Sequence, residues 1–190
     1  MQRMQRLPMD QSSSQSRNLQ IEDIMFIDHI GIVVPDLEQA LNRWERLFGY
    51  HRNSVIVQNT RQKVRVVFLA KSDSLTIKLI EPSADDSPVA QAARKGGGLH
   101  HLCFRCDSLQ TQVAELLMRG ARLIVPPEPG EAFKNHPIAF LLVGNNVNVE
   151  LIDTNEKAGW GVVATDDLSK TSGAGVWTRN QQPAPSAQTD

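Results

Sequence analysis

From residue 26 to 34 the chain is apolar and β-branched around Asp28 and His29, the pattern of a strand. Pro35-Asp36 ends it and caps a helix, along which Leu37, Ala40, Leu41, Trp44, Leu47 and Phe48 recur at helical spacing until Gly49. Three strands are predicted next, over 51–58, 63–70 and 75–81, so the order is β-α-β-β-β. Pro82-Ser83 opens a connection with a short helix over 88–94. The same order then returns. A strand over 99–106 leads to an Asp107-Ser108 cap, a helix over 109–119 stopped by Gly120, and strands over 121–125, 138–143 and 148–153. Pro126-Pro127-Glu128-Pro129-Gly130 reads as a loop.

The return has a fixed offset. His29 and His101, Leu37 and Leu109, Phe68 and Phe140, and Lys78 and Glu150 are each 72 positions apart, with no gap needed. Such self-similarity marks a duplicated supersecondary unit, and two copies make a paired domain rather than a solenoid. Matched positions of two facing copies meet near a pseudo-twofold axis, which would bring two histidines, a lysine and a glutamate to one place.

Residues of equal parity on a strand share a face. His29, Gly31 and Val33 therefore oppose Ile30, Ile32 and Val34, which suit packing under the helix. His101, Cys103 and Arg105 face away from Leu102 and Phe104, a reading that turns His100 opposite to His101. The last strands contribute Thr76, Lys78 and Ile80, and Asn148, Glu150 and Ile152. Placed beside the first strands, they line one concave sheet with His29 and His101. Two neutral imidazoles and a carboxylate suit Fe, Mn, Co, Ni or Zn as a divalent ion, with positions left open to substrate or water. Lys78 is different, because a protonated amine has no lone pair to give. The same residues also allow a Lys78–Glu150 salt bridge that fills a site without metal. His136 shares parity with Ile138 and Phe140, which makes it a candidate acid or base, with an ordinary loop histidine as the alternative.

Composition narrows the function class. The 190 residues carry a formal charge of −1 and no basic block, which favours small-molecule chemistry over nucleic acid or a membrane surface. The length suits one domain, read as 25–153 with modules 26–82 and 98–153. Residues 1–24 form a polar tail without a secretory pattern, so a cytoplasmic protein is expected. From 154 to 190 the chain is a polar extension, with 181–190 read as disordered and Trp160 and Trp177 as apolar exceptions able to dock. Cys103 and Cys106 fall on opposite faces of their strand, which suits ordinary thiols better than a chelate.

Ile27-Asp-His-Ile-Gly-Ile-Val-Val-Pro-Asp-Leu37, Leu79-Ile-Glu-Pro82, Asp86-Ser-Pro-Val-Ala90, Gly97-Gly-Leu-His-His-Leu102 and Val149-Glu-Leu151 together resemble the vicinal oxygen chelate superfamily. The nearest branch is similar to methylmalonyl-CoA epimerase. The resemblance implies an α+β fold in which two paired βαβββ modules form an open, cupped, eight-stranded sheet around a divalent metal. It carries metal-ligand roles onto His29, His101 and Glu150. Three positions depart from the epimerase pattern. Lys78 stands where a fourth ligand is expected, Val66 where a catalytic glutamate is expected, and Leu142-Val143-Gly144 where a histidine-proline pair is expected. The resemblance thus implies a divalent-metal enzyme of epimerase, isomerase or lyase type. It would transfer a proton on a small carbonyl or acyl-CoA substrate through a metal-bound enolate, with Lys78 and His136 as candidate acid/base groups. Two alternatives stand beside it: a non-haem Fe(II) oxygenase using the His-His-Glu triad, and a metal-free small-molecule-binding protein. Family members often dimerise, so a homodimer is also expected.

Overall fold

The computed structural model describes residues 25–161; the expectations for 1–24, 181–190 and Trp177 lie outside the described residues. Strands β1 (Phe26–Val33), β2 (His51–Arg52), β3 (Val57–Asn59), β4 (Val64–Ala70), β5 (Thr76–Pro82), β6 (Gly98–Arg105), β7 (Arg122–Pro129), β8 (Pro137–Leu142) and β9 (Asn148–Ile152) form one sheet. Three α-helices accompany it, α1 (Leu37–Phe48), α2 (Ala90–Arg94) and α3 (Leu109–Met118), with a single 3-10 turn at Glu131–Phe133. The strand order is β2-β4-β5-β1-β6-β9-β8-β7, with β3 on β4. Two βαβββ modules thus join edge to edge through the antiparallel pair β1 and β6. Among the described residues, no helix is long and apolar enough to cross a membrane.

The internal repeat is visible in the register. Ile30 pairs with Leu102, its own counterpart 72 residues on, so the pseudo-twofold axis passes through that pair. Gly31 lies beside Lys78 on the parallel strand β5, and Cys103 beside Glu150 on β9. Phe68 and Phe140 face the same two residues from the other side.

The helices form where the local chemistry allows. Asp36 accepts a bond from Gln39 N at 2.8 Å, and Gly49 closes α1 in the left-handed region at φ 67°. Ser108 caps α3 through Thr111 N. α1 and α3 each cover one half of the convex face. Leu37 and Leu41 of α1 pack on Val67, Leu69, Ile77 and Leu79, and their counterparts Leu109 and Val113 of α3 pack on Ala139, Leu141, Val149 and Leu151. Full burial of each such leucine stabilises by about 2 kcal/mol, and trimming Leu79, which is 0% exposed, to Ala would cost about 2–5 kcal/mol.

Two strand expectations need correction. The strand expected over 51–58 divides into β2 and β3: Asn53 N still bonds to Phe68 O at 2.9 Å, but Phe68 N bonds to the Ser54 hydroxyl at 2.9 Å in place of a backbone carbonyl, which ends the ladder there. The sheet therefore has nine strands where eight were expected. The proline run expected as a loop instead continues β7 to Pro129. β7 pairs with β8 alone, and the ladder shifts register around Pro126 and Pro127, so the missing N–H groups leave no central strand unpaired.

Candidate metal centre and cavity

The concave face carries the polar exceptions. His29, Lys78, His101 and Glu150 are all nearly or fully buried, among Phe68, Phe133, Phe140 and Ile152. His29 Nε2 and His101 Nε2 each lie 3.0 Å from Glu150 Oε2 and 3.2 Å from each other. Donors about 2.1 Å from one ion and near right angles to one another lie about 3 Å apart, so these three fit a divalent cation on one triangular face. Lys78 Nζ donates to Glu150 Oε1 and Oε2 at 3.1 and 3.2 Å and sits 4.9 Å from the Phe133 ring centroid. It occupies the fourth corner as a cation and not as a lone-pair donor.

Gly31 makes room for this arrangement. A Cβ there would stand 2.2 Å from His101 Cε1, far inside van der Waals contact. The repeat therefore breaks at this point, with Gly31 in one module and the buried Cys103 in the other.

Parity fails at two places, and both matter. The β1–β6 ladder pairs Ile27 with Phe104 and then His29 with Cys103, and it pairs Gly31 with His101 and then Ile32 with Leu99. Asp28 and His100 are left over as bulge residues, 72 positions apart. A bulge re-aims its side chain, and each residue lies against the histidine that follows it. His29 Nδ1 is 2.9 Å from Asp28 Oδ1, and His101 Nδ1 is 2.8 Å from His100 Nδ1. The expectation that His100 points away from His101 is thus corrected: its ring lies 6.2 Å from Phe140, and it lines the same cavity as His101. A polar residue directly before each histidine, repeated at the same offset, was the signal that could have revealed it.

Burial opposes the Glu150 charge, but the Lys78 ammonium and the His101 and His29 bonds hold its carboxyl well below the usual carboxylate range. Burial drives the His101 imidazole down to about 3, against the pull of Glu150. His100 is lowered by the same loss of water. Asp28 is raised by burial yet held low by its bonds to His29 and Lys157. Neutral imidazoles and ionised carboxylates are the protonation states that a metal requires.

A cavity of about 130 Å³ opens beside the cluster. Val64, Val66, Ile80, Val125 and Phe140 make it largely apolar, while Gln62, Lys78, His100, His101 and Asn148 supply the polar groups. Val66 indeed lines the wall and offers no base. His136 is not brought in. It precedes β8 in a turn, with His136 N bonded to Phe133 O at 3.0 Å and its carbonyl accepting from Gly130 N, so strand parity does not extend to it. The two cysteines are buried free thiols, as expected.

Residues 28–140 match the model of the Glyoxalase/Bleomycin resistance protein/Dioxygenase superfamily. A methylmalonyl-CoA epimerase from Dictyostelium discoideum is 28% identical over 133 residues, 69% of this chain and 78% of that protein. YqjC, an uncharacterized protein from Bacillus subtilis, is 35% identical over 133 residues, covering 67% of this chain and 91% of its own. A Streptomyces coelicolor methylmalonyl-CoA epimerase variant, solved with 2-nitronate-propionyl-CoA, superposes with a TM-score of 0.60 at 27% identity, covering 70% of this chain and 96% of that one. With its paired modules and buried His-His-Glu cluster, the chain belongs to the Glyoxalase/Bleomycin resistance protein/Dioxygenase superfamily, among its epimerase-type enzymes.

Proposed function

We propose that this chain transfers a proton at the carbon α to a carbonyl, with an acyl-CoA thioester as substrate class and a divalent metal as cofactor. The observation that carries this reading is the convergence of His29, His101 and Glu150 at 3.0–3.2 Å, with Lys78 beside them on the wall of an apolar cavity. A cation held by those three residues would polarise the substrate carbonyl and lower the acidity barrier at its α-carbon.

The chain's own groups do the rest. Lys78 Nζ, bonded to Glu150 on the cavity wall, is the group placed to exchange the α-proton: the ammonium first releases a proton to solvent, the amine so formed accepts the α-proton, and the ammonium returns it. His100, kept neutral by burial, serves as a hydrogen-bond donor to a substrate oxygen and not as a proton carrier. The apolar wall excludes water from the carbanionic carbon. A cavity of this size admits an acyl group of a few carbons, so the nucleotide part of a coenzyme would lie outside it.

The test is isotope exchange in D2O with methylmalonyl-CoA, the compound named for the relatives, and with shorter acyl-CoA thioesters, using protein loaded with Co(II). Deuterium uptake at the α-carbon is expected for wild type and for H136A, and not for K78M. No uptake with any thioester would overturn the reading. A second reading, a binding protein without metal, draws support from the Lys78–Glu150 pair, which satisfies the carboxylate unaided. It predicts no retained metal and no stabilisation by added metal. Fe(II)-dependent oxygen consumption would point instead to the oxygenase alternative.

A further inference from the structure

One buried cation takes no part in the chemistry above. Lys157 lies beyond β9, in the segment 154–161 that folds back over the concave face. Its side chain is 7% exposed, and Nζ donates to Asp28 Oδ1 and Oδ2 at 2.9 Å each. Asp28 Oδ1 in turn accepts from His29 Nδ1 at 2.9 Å. Arg105 is the other cation near this carboxylate, at 3.9 Å, and its side chain is 38% exposed. Ala158 N donates to Ala132 O and Gly161 N to Asn53 O, both at 2.9 Å, which ties the segment down on either side of the centre. Trp160 packs edge-on to Phe68 at 6.0 Å, and Phe68 packs edge-on to His29 at 5.4 Å.

The repeat explains why the first module needs such a residue. Each bulge sets a side chain against the Nδ1 of a candidate ligand. In the second module that side chain is the neutral His100; in the first it is the anion Asp28. A neutral neighbour can stay buried unaided, but a buried carboxylate needs a counter-charge.

We propose that Lys157 is a positioning residue for the metal centre: it holds Asp28 as the acceptor of the His29 Nδ1 proton, so that His29 Nε2, which bonds to Glu150 while no cation is bound, gives its lone pair when a cation enters. This role rests on the reading of His29, His101 and Glu150 as metal donors. A carboxylate behind a ligand histidine fixes the tautomer, orients the ring and strengthens the donor, and its loss commonly weakens metal binding by about 10–100-fold. Without the ammonium, the Asp28 carboxylate loses the two 2.9 Å bonds that hold it against His29 and turns toward solvent, which removes the acceptor. The segment after the last strand is by this account part of the metal site.

Two readouts test it. In metal-free protein labelled with 15N-histidine, wild type and K157R should show the His29 Nδ1 proton as a downfield, slowly exchanging resonance. The resonance should be absent in H29Q and lost in K157M. In Co(II) titrations K157M should bind about tenfold more weakly, with an altered visible spectrum. K134M, which breaks the exposed Lys134–Glu156 pair on the same segment, should change neither readout. Should K157M fail to fold, K157Q carries the same comparison, because it keeps a donor toward Asp28 without the charge. A variant lacking the Lys157 charge that retains the resonance, or that loses it with unchanged Co(II) affinity, overturns the role of Lys157. Wild type that shows the resonance but binds no Co(II) overturns the metal reading and leaves the Lys157–Asp28–His29 placement standing.

Discussion

Replacing Lys78 with methionine isolates the charge that balances Glu150. Glu150 is 0% exposed and Lys78 3%, and among the described residues Lys78 is the one lysine or arginine within 4 Å of that carboxylate. Removing one partner of a buried pair leaves an uncompensated ion and costs about 3–5 kcal/mol. For a chain of this size that lowers the melting temperature by about 10 °C. The double variant K78M/E150Q removes both charges, keeps an acceptor for the two histidines, and should recover most of the loss. Co(II) should also rescue the single variant, since a cation held at the carboxylate replaces the missing ammonium; at 100 times its Kd it adds about 2.7 kcal/mol. Urea unfolding of metal-free and Co(II)-loaded protein measures all three. Metal-free K78M within about 1 kcal/mol of wild type would refute the assignment of Lys78 as the counter-charge of Glu150.

Three further outcomes are expected. G31A forces the His101 ring away from the sheet, since its Cβ would lie 2.2 Å from Cε1; a loss of about 1–3 kcal/mol should accompany weaker Co(II) binding, and wild-type values for both would count against the close approach. Metal-free protein should lose stability as pH falls through 6.5, where an unfolded histidine is half protonated, toward the value of about 3 at which buried His101 takes up its proton. The slope is up to about 1.4 kcal/mol per pH unit for this group. Below the ordinary carboxylate values of 4.5 and 3.8, loss of the Glu150 and Asp28 charges adds to the fall, because their folded forms are held lower still. Urea midpoints that stay flat from pH 8 to pH 5 would contradict a buried neutral His101. Cys106, pushed up by burial to about 11, and Cys103, which burial holds well above the usual thiol range, should not react with Ellman's reagent at pH 8 until the protein is denatured.

Much of this architecture was legible from periodicity. α1 and α3 were readable because each has a side-chain cap and an apolar stripe, and the four-residue cluster because both its pairs share the 72-residue offset. Edge strands were less legible. β7 runs through three prolines, which a rule based on local preference reads as a loop; pairing on one side only removes the penalty. The bulges were hidden for a different reason. Alternation assumes an unbroken ladder, whereas the extra residues Asp28 and His100 arise from how β1 and β6 pair. His136 failed in the converse way, because parity was extended past the end of β8. Lys157 had no local signal, since its partner Asp28 is 129 residues away.

The axis through Ile30 and Leu102 has an evolutionary reading. Two separate, identical half-chains related by a true twofold must set like against like, so position 78 would face its own copy as lysine against lysine or glutamate against glutamate. Neither combination gives a buried neutral pair. Fusing the halves into one gene lets the two positions mutate apart, and only then can one copy carry the ammonium and the other the carboxylate. The same freedom allows glycine at position 31 in one module and cysteine at 103 in the other. Covalent duplication thereby turned a symmetric scaffold into one that can hold an asymmetric set of charges.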